Sequence, residues 1–196
     1  MHITMIGDYR LIRPLVILAT RAGNTVLRVD EVATDVASCS LSEMMIVAGD
    51  RASLTDLVTR VSSVTSDDIV VVDATTTVES GQSDGEEELV SETKWMDLLP
   101  STRIVRAFAS VPAEAFTVIA DRAVRAVDEE LAVPLAGDDA AAKEVVSHFM
   151  QQIGVEPFDL GPLAVSYVMD PGGPLWGKAV DSLEMRECIG WLSGDG

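Results

Sequence analysis

Short β-branched runs that stop at turn residues recur along this chain, and stretches of helical character lie between them. HITMIG (2–7), TVLRVD (25–30), MMIVAG (44–49), DIVVVDA (68–74), TRIVRAFA (102–109) and LAVPLAG (131–137) are mostly unbroken apolar runs. That is the pattern of strands buried on both faces. Helical stretches cover 10–22, 51–64, 86–98 and 139–153, the last with Asp138 or Asp139 as N-cap and Gly154 as its stop. The alternation predicts an α/β fold with a Rossmann-like doubly wound parallel sheet over residues 1–163. VEPFDL (155–160) reads as its last strand. Residues 164–196 read as a short helical C-terminal tail, with a hinge at Gly172-Gly173.

Two stretches depart from a regular dinucleotide fold. EVATDVASCSLSE (31–43) is too short for an ordinary crossover helix between the second and third strands, so the adenosine side of a cofactor pocket is expected to be poorly built. TTTVESGQSDGEEE (75–88) is polar and acidic, and reads as a surface loop at the carboxyl end of the fourth strand.

Charge and cysteine content narrow the partners. A net charge of −18 on 196 residues repels phosphate backbones and anionic membranes, so a small-molecule substrate is expected and neither nucleic acid nor membrane is. Solubility or halophilic adaptation accounts for the same charge. The early basic cluster is Arg10, Arg13 and Arg21. Cys39 and Cys188 fit no metal or redox spacing, so no metal site is expected and both read as reduced thiols. No apolar run approaches the roughly 20 residues that span a bilayer, and residues 2–7 read as a strand rather than a leader. A cytoplasmic protein is the expectation.

The first strand, turn and helix have the outline of a phosphate-binding G-x-G-x-x-G loop, but only its first glycine, Gly7, is present. Tyr9 and Ile12 stand where the second and third belong. The second glycine lets backbone amides approach a pyrophosphate, and the third lets helix and strand pack closely. Tyr9 is therefore expected to fill the approach path, and Ile12 to push the helix outward or meet smaller neighbours. Asp30 ends the second strand, where an acid commonly holds the ribose hydroxyls of NAD.

LLPSTRIVRAFASVPAEAF, followed by LAVPLAGDDAAAKEVVSHFMQQIGVEPFDLGPL, resembles the deazaflavin (coenzyme F-420)-dependent NADP oxidoreductases. That family places a "LLP...VVKAFNT" strand before "vagDDaeAK", a helix and "iGf.pvdaGpL". The blocks match in order and spacing over 98–163, and more weakly over 1–75. The resemblance implies a nicotinamide cofactor, NADP(H) or NAD(H), and a tail that closes the pocket and contributes to a homodimer. The chain departs from the family at telling positions. Asp30 and Glu31 replace the Ser-Arg pair that holds the 2′-phosphate of NADP, and Ala109 replaces the Asn of "AFNT".

Two readings follow. In one, an oxidoreductase binds its cofactor through a degenerate site made of Gly7, Tyr9, Arg10, Ile12, Arg13 and Asp30, with Arg10 and Arg13 replacing amide contacts by charge. In the other, ordinary NADP binding is weakened or lost, and the crevice serves a cofactor-independent cyclase or isomerase, or a small-molecule-binding protein. Tyr9, Arg10, Asp73, Ser110 and Tyr167 are then the candidates around the crevice, a carboxylate or phenol acting as acid or base. GDD (137–139) reads as a helix cap, and His2 and His148 as structural.

Overall fold

The unbroken apolar runs become strands with both faces covered: β3 (Met44–Asp50), β4 (Val70–Thr76), β5 (Ile104–Ala107) and β6 (Ala132–Gly137) are buried along nearly their whole lengths. The computed structural model describes residues 1–29, 36–66, 68–76, 103–121 and 131–190. With β1 (His2–Gly7), β2 (Thr25–Val29) and β7 (Glu156–Asp159) these strands form a seven-stranded sheet ordered β2-β1-β3-β4-β5-β6-β7. Its helices are α1 (Tyr9–Arg21), α2 (Arg51–Ser62), α3 (Ala113–Asp121), α4 (Ala140–Ile153) and α5 (Ser182–Ile189). A 3-10 segment, Val36–Leu41, stands where a crossover helix would join β2 to β3, as the shortness of that link requires. A second, Leu163–Met169, opens the tail.

The expected all-parallel sheet is corrected at one joint. Strands β2 to β5 are parallel, but β5 and β6 pair antiparallel through Val105 with Gly137, Arg106 with Ala136 and Ala107 with Leu135. The link that leaves β5 returns to the same edge of the sheet, so β6 enters in the opposite direction and β7 follows it in parallel. Helix α3, which the sequence reading passed over, lies within that link, starting straight after Pro112.

Aspartates cap the helices. Asp8, Asp50, Asp139 and Asp181 each accept from a backbone N–H in the first turn of α1, α2, α4 and α5 respectively. Gly154 closes α4 with φ 89°, and His148 on that helix meets Gln152 at 3.0 Å.

Alternation along the strands sorts the core onto two faces. On one, Ile3, Met5, Ile46, Val72, Val105 and Leu135 join α1, α3 and α4 in a continuous apolar cluster. Phe108 stacks edge-on against Phe116 and Phe149 there, with centroids 5.6 and 6.4 Å apart. The other face carries two separate clusters, one under α2 and the first 3-10 segment, the other under the tail.

Candidate functional site

In an open α/β sheet the ligand crevice lies beyond the carboxyl ends of the strands where their order reverses, here at the ends of β1 and β3. Gly7 is required there by close approach rather than by a ligand. Its φ is 108°, the next amide, Asp8 N–H, donates to the Ala48 carbonyl at 2.7 Å, and a Cβ on Gly7 would lie 1.9 Å from that oxygen. The chain then turns directly into α1. At the N-terminus of that helix, where a dinucleotide fold receives pyrophosphate, the Asp8 carboxylate accepts from Arg10 N–H at 2.9 Å. The Arg10 guanidinium folds back onto the same carboxylate, with Nη2 2.8 Å from Oδ2. That side-chain hydrogen bond, above all, holds the Asp8 carboxyl below its ordinary range.

Tyr9 points outward and is 56% exposed. Arg13 from α1 and Arg28 from β2 each stand 5.8 Å from its ring centroid, within cation–π range. Ile12 is fully buried in the apolar cluster, which also contains Ala48, Ala74 and Ala107 near the strand ends. Asp30 lies outside the described residues, as do Glu31 and most of the 75–88 loop.

A second constellation lies under the carboxyl ends of β4 and β5, on the face with two clusters. Asp73, 1% exposed, receives four donors: Thr75 N–H at 3.0 Å, Thr75 Oγ1 at 2.5 Å, Arg51 Nη2 at 3.4 Å and Arg106 Nη1 at 3.3 Å. Arg51 also gives its Nε to Thr75 Oγ1 at 2.9 Å. Arg106 reaches the tail through Nη2, which meets the Asp170 carboxylate. Buried charges persist only when paired and hydrogen-bonded, and this spine pairs them across two strands, the start of α2 and the tail.

The tail lies over the same edge. Val168, Met169, Leu175 and Met185 bury themselves against Ala132, Ala136 and Phe158, so its apolar residues find partners within the chain. Gly172-Gly173 is a tight turn rather than a hinge. Gly173 N–H bonds the Asp170 carbonyl at 2.8 Å, Pro171 and Gly172 (φ 86°) occupy the central positions, and a Cβ on Gly173 would lie 2.5 Å from the Val168 oxygen. Farther on, Gly177 N–H donates to the Ser110 carbonyl at 2.8 Å. Ser110 itself is 2% exposed, and its hydroxyl has no hydrogen-bond partner among the described residues. Two residues before it, Phe108 takes φ 66°, a left-handed conformation that costs a bulky residue roughly 1–2 kcal/mol and marks functional corners.

The residues expected to converge are therefore spread over three places. Tyr9, Arg10 and Arg13 crown the β1–α1 corner, Asp73 and Ser110 lie under the tail, and Tyr167 sits on the tail, 51% exposed. None of Tyr9, Ser110 or Tyr167 is among the donors on Asp73. Arg51, Arg106 and Asp170 were missed by the sequence reading. Only Arg106 carried a signal, an arginine inside the otherwise apolar strand IVRA, where a charge must find a partner. Among the described residues no three His, Cys, Asp or Glu side chains converge as a metal site, and no helix is long and apolar enough to cross a membrane.

No protein-family model and no curated protein sequence matches the chain. Solved structures do match in fold. A hypothetical protein of Sinorhizobium meliloti is similar at 20% identity with TM-score 0.69, over 92% of this chain and 95% of that one. A putative F420-dependent NADP reductase from Arthrobacter sp. FB24 is similar at 16% identity with TM-score 0.61, over 84% and 86%. An imine reductase from Myxococcus stipitatus, in complex with NAD+, aligns at 16% identity with TM-score 0.57, over 98% of this chain and 62% of its own. At these identities the likeness is one of fold: a Rossmann-like sheet shared with nicotinamide-dependent reductases.

Proposed function

We propose that this chain is a small-molecule enzyme of reductase descent in which the ordinary NADP(H) subsite has been weakened or lost. One observation carries the reading. The anion position at the N-terminus of α1 is filled by the protein's own carboxylate, Asp8, with Arg10 closed onto it. A pyrophosphate arriving there meets a negative charge instead of free amides, and the arginine nearest to it is already neutralised. Tyr9 and Ile12 remove the two close approaches that glycines provide. The residues present therefore do not fit a dinucleotide in the ordinary mode, and no chemical step is routed through one.

The reacting crevice in this reading lies under the tail, at the carboxyl ends of β4 and β5, beside the buried network of Arg51, Asp73 and Arg106. A cofactor-independent cyclase or isomerase, or a binding protein, belongs to the same reading. The rival is an oxidoreductase that grips its cofactor at Tyr9, Arg13 and Arg28, and the exposed cations flanking that ring favour it. Calorimetry with NADPH and NADH separates the two. No measurable heat at micromolar protein is expected, and a low-micromolar dissociation constant for either would overturn the proposal. We further propose that the active protein is a homodimer joined through the outward residues of the tail.

A further inference from the structure

We propose that Arg106 anchors a carboxylate-binding subsite, that Asp170 of the tail occupies this subsite in the closed state, and that a small-molecule carboxylate takes its place when the tail lifts. The inference rests on the reading that the crevice at β4 and β5 is the reacting site, and names the class of ligand it takes.

The two carboxylates on Arg106 differ in kind. Asp73 belongs to the sheet: it lies within β4, is buried, and is held by Thr75 and Arg51 as well as by Arg106. Asp170 belongs to the tail and its side chain is 34% exposed. It is presented to the guanidinium by the turn at 170–173 and by its own N–H on the Tyr167 carbonyl at 3.1 Å. A ligand carboxylate in place of Asp170 keeps a negative charge facing the 2% exposed Arg106 guanidinium beside that of Asp73, whereas a neutral ligand removes one of its two carboxylate partners shown. The guanidinium fork also matches the planar geometry of a carboxylate.

Ser110 supplies the second contact. Its hydroxyl is buried and has no partner among the described residues, and a buried polar atom without a partner costs free energy that a bound ligand can recover. The same tail segment that delivers Asp170 to Arg106 also holds the Ser110 backbone, Gly177 N–H donating to its carbonyl. Lifting residues 170–177 therefore releases Arg106 from Asp170 and Ser110 from Gly177 in one movement. The ligand that fits is a small carboxylate bearing a second polar atom, a hydroxyl or a carbonyl, for Ser110.

Acetate is the probe, because it is the Asp170 side chain cut free. Acetamide is the neutral match, and chloride holds the ionic strength constant. In the intact protein, acetate is expected to speed amide hydrogen exchange over 170–178, and acetamide is not. In Asp170→Ala, acetate is expected to raise the melting temperature saturably, half-saturating at about one-tenth of the concentration the intact chain needs, because no internal carboxylate competes. A contact that merely cements the tail would be rescued in the variant but would not loosen in the intact protein. Unchanged exchange over 170–178 in the intact chain, or equal effects of acetate and acetamide, overturns the proposal. The exchange arm needs no variant, so misfolding of Asp170→Ala leaves the test standing. Failure here alongside silent NADPH calorimetry removes the carboxylate site alone, while NADPH binding alongside acetate-driven opening removes the cofactor-loss reading alone.

Discussion

The two faces of the sheet are built on different principles. Under α1, α3 and α4 the side chains form one apolar body with three phenylalanines at its centre. Under α2 and the tail, two apolar clusters are held apart by Arg51, Asp73, Thr75 and Arg106. A continuous apolar face gives stability that varies smoothly with buried area. An ionic spine adds geometric specificity at a cost in desolvation. The buried ion pairs lie on the second face alone, which teaches that the two faces meet the same need for burial by different chemistry.

The strongest way to break that contrast is to truncate each centre in turn. Phe149→Ala should cost about 3–5 kcal/mol, and Arg106→Leu a similar amount, about 3–5 kcal/mol, by leaving Asp73 without one of its cations. The faces should part company in double variants. Adding Asp73→Asn to Arg106→Leu should cost less than Asp73→Asn costs alone, whereas pairing Phe149→Ala with a distant Ile46→Val should be additive. Urea denaturation of the set decides it, and additivity on both faces would erase the distinction.

A smaller effect sits at the helix ends of the apolar face. Asp8, through its bond with Arg10, and Asp139, through the Ala142 amide and then Arg103, are both held below the ordinary carboxylate range. A depressed folded value means stability that is present above the unfolded value, about 3.9, and is lost as pH falls through the lowered one. Urea midpoints should therefore be flat from pH 7 to about 5 and should fall below about 4. Asp139→Asn should flatten part of that decline, and an unchanged acid limb in the variant would count against the assignment.

The smallest effect concerns the surface. Among the described residues of the tail, Tyr167, Trp176 and Leu183 are the large apolar side chains left exposed. If they join two copies, light scattering gives twice the chain mass, and Trp176→Lys halves it with little change in melting temperature. A monomeric intact chain at high concentration sinks the homodimer.

Most strands, the irregular β2–β3 link and the Asp139–Gly154 limits of α4 were legible because each rests on local chemistry: apolar continuity, link length, a cap and a stop. The direction of β6 was not. LAVPLAG is equally buried whichever way it runs, and only the edge to which the chain returns decides its sense. Helix α3 was missed because SVPAEAFTVIAD follows a strand and a proline and is short. At the site, Gly7 was read for its phosphate role, whereas its glycine is demanded by the Ala48 carbonyl. Tyr9 and Ile12 were read as obstacles to a tight loop, and the carboxylate of Asp8 beside them was not weighed. Arg51 and Asp73 are far apart in sequence, and only the fold brings them together.

The antiparallel joint between β5 and β6 also has a consequence for synthesis. Strands β1 to β5 leave the ribosome first and already contain the whole parallel block, while β5 waits with one flank unpaired until residues 132–137 emerge. An open flank of that kind recruits other strands, and nascent chains meet this hazard in order of translation. The segment that heals the flank brings the tail with it, and the tail brings Asp170 to Arg106 and Gly177 to Ser110. A chain stalled before residue 132 therefore has an adhesive edge and a bare Arg106 flank together, so quality control that removes sticky intermediates also removes chains without their tail.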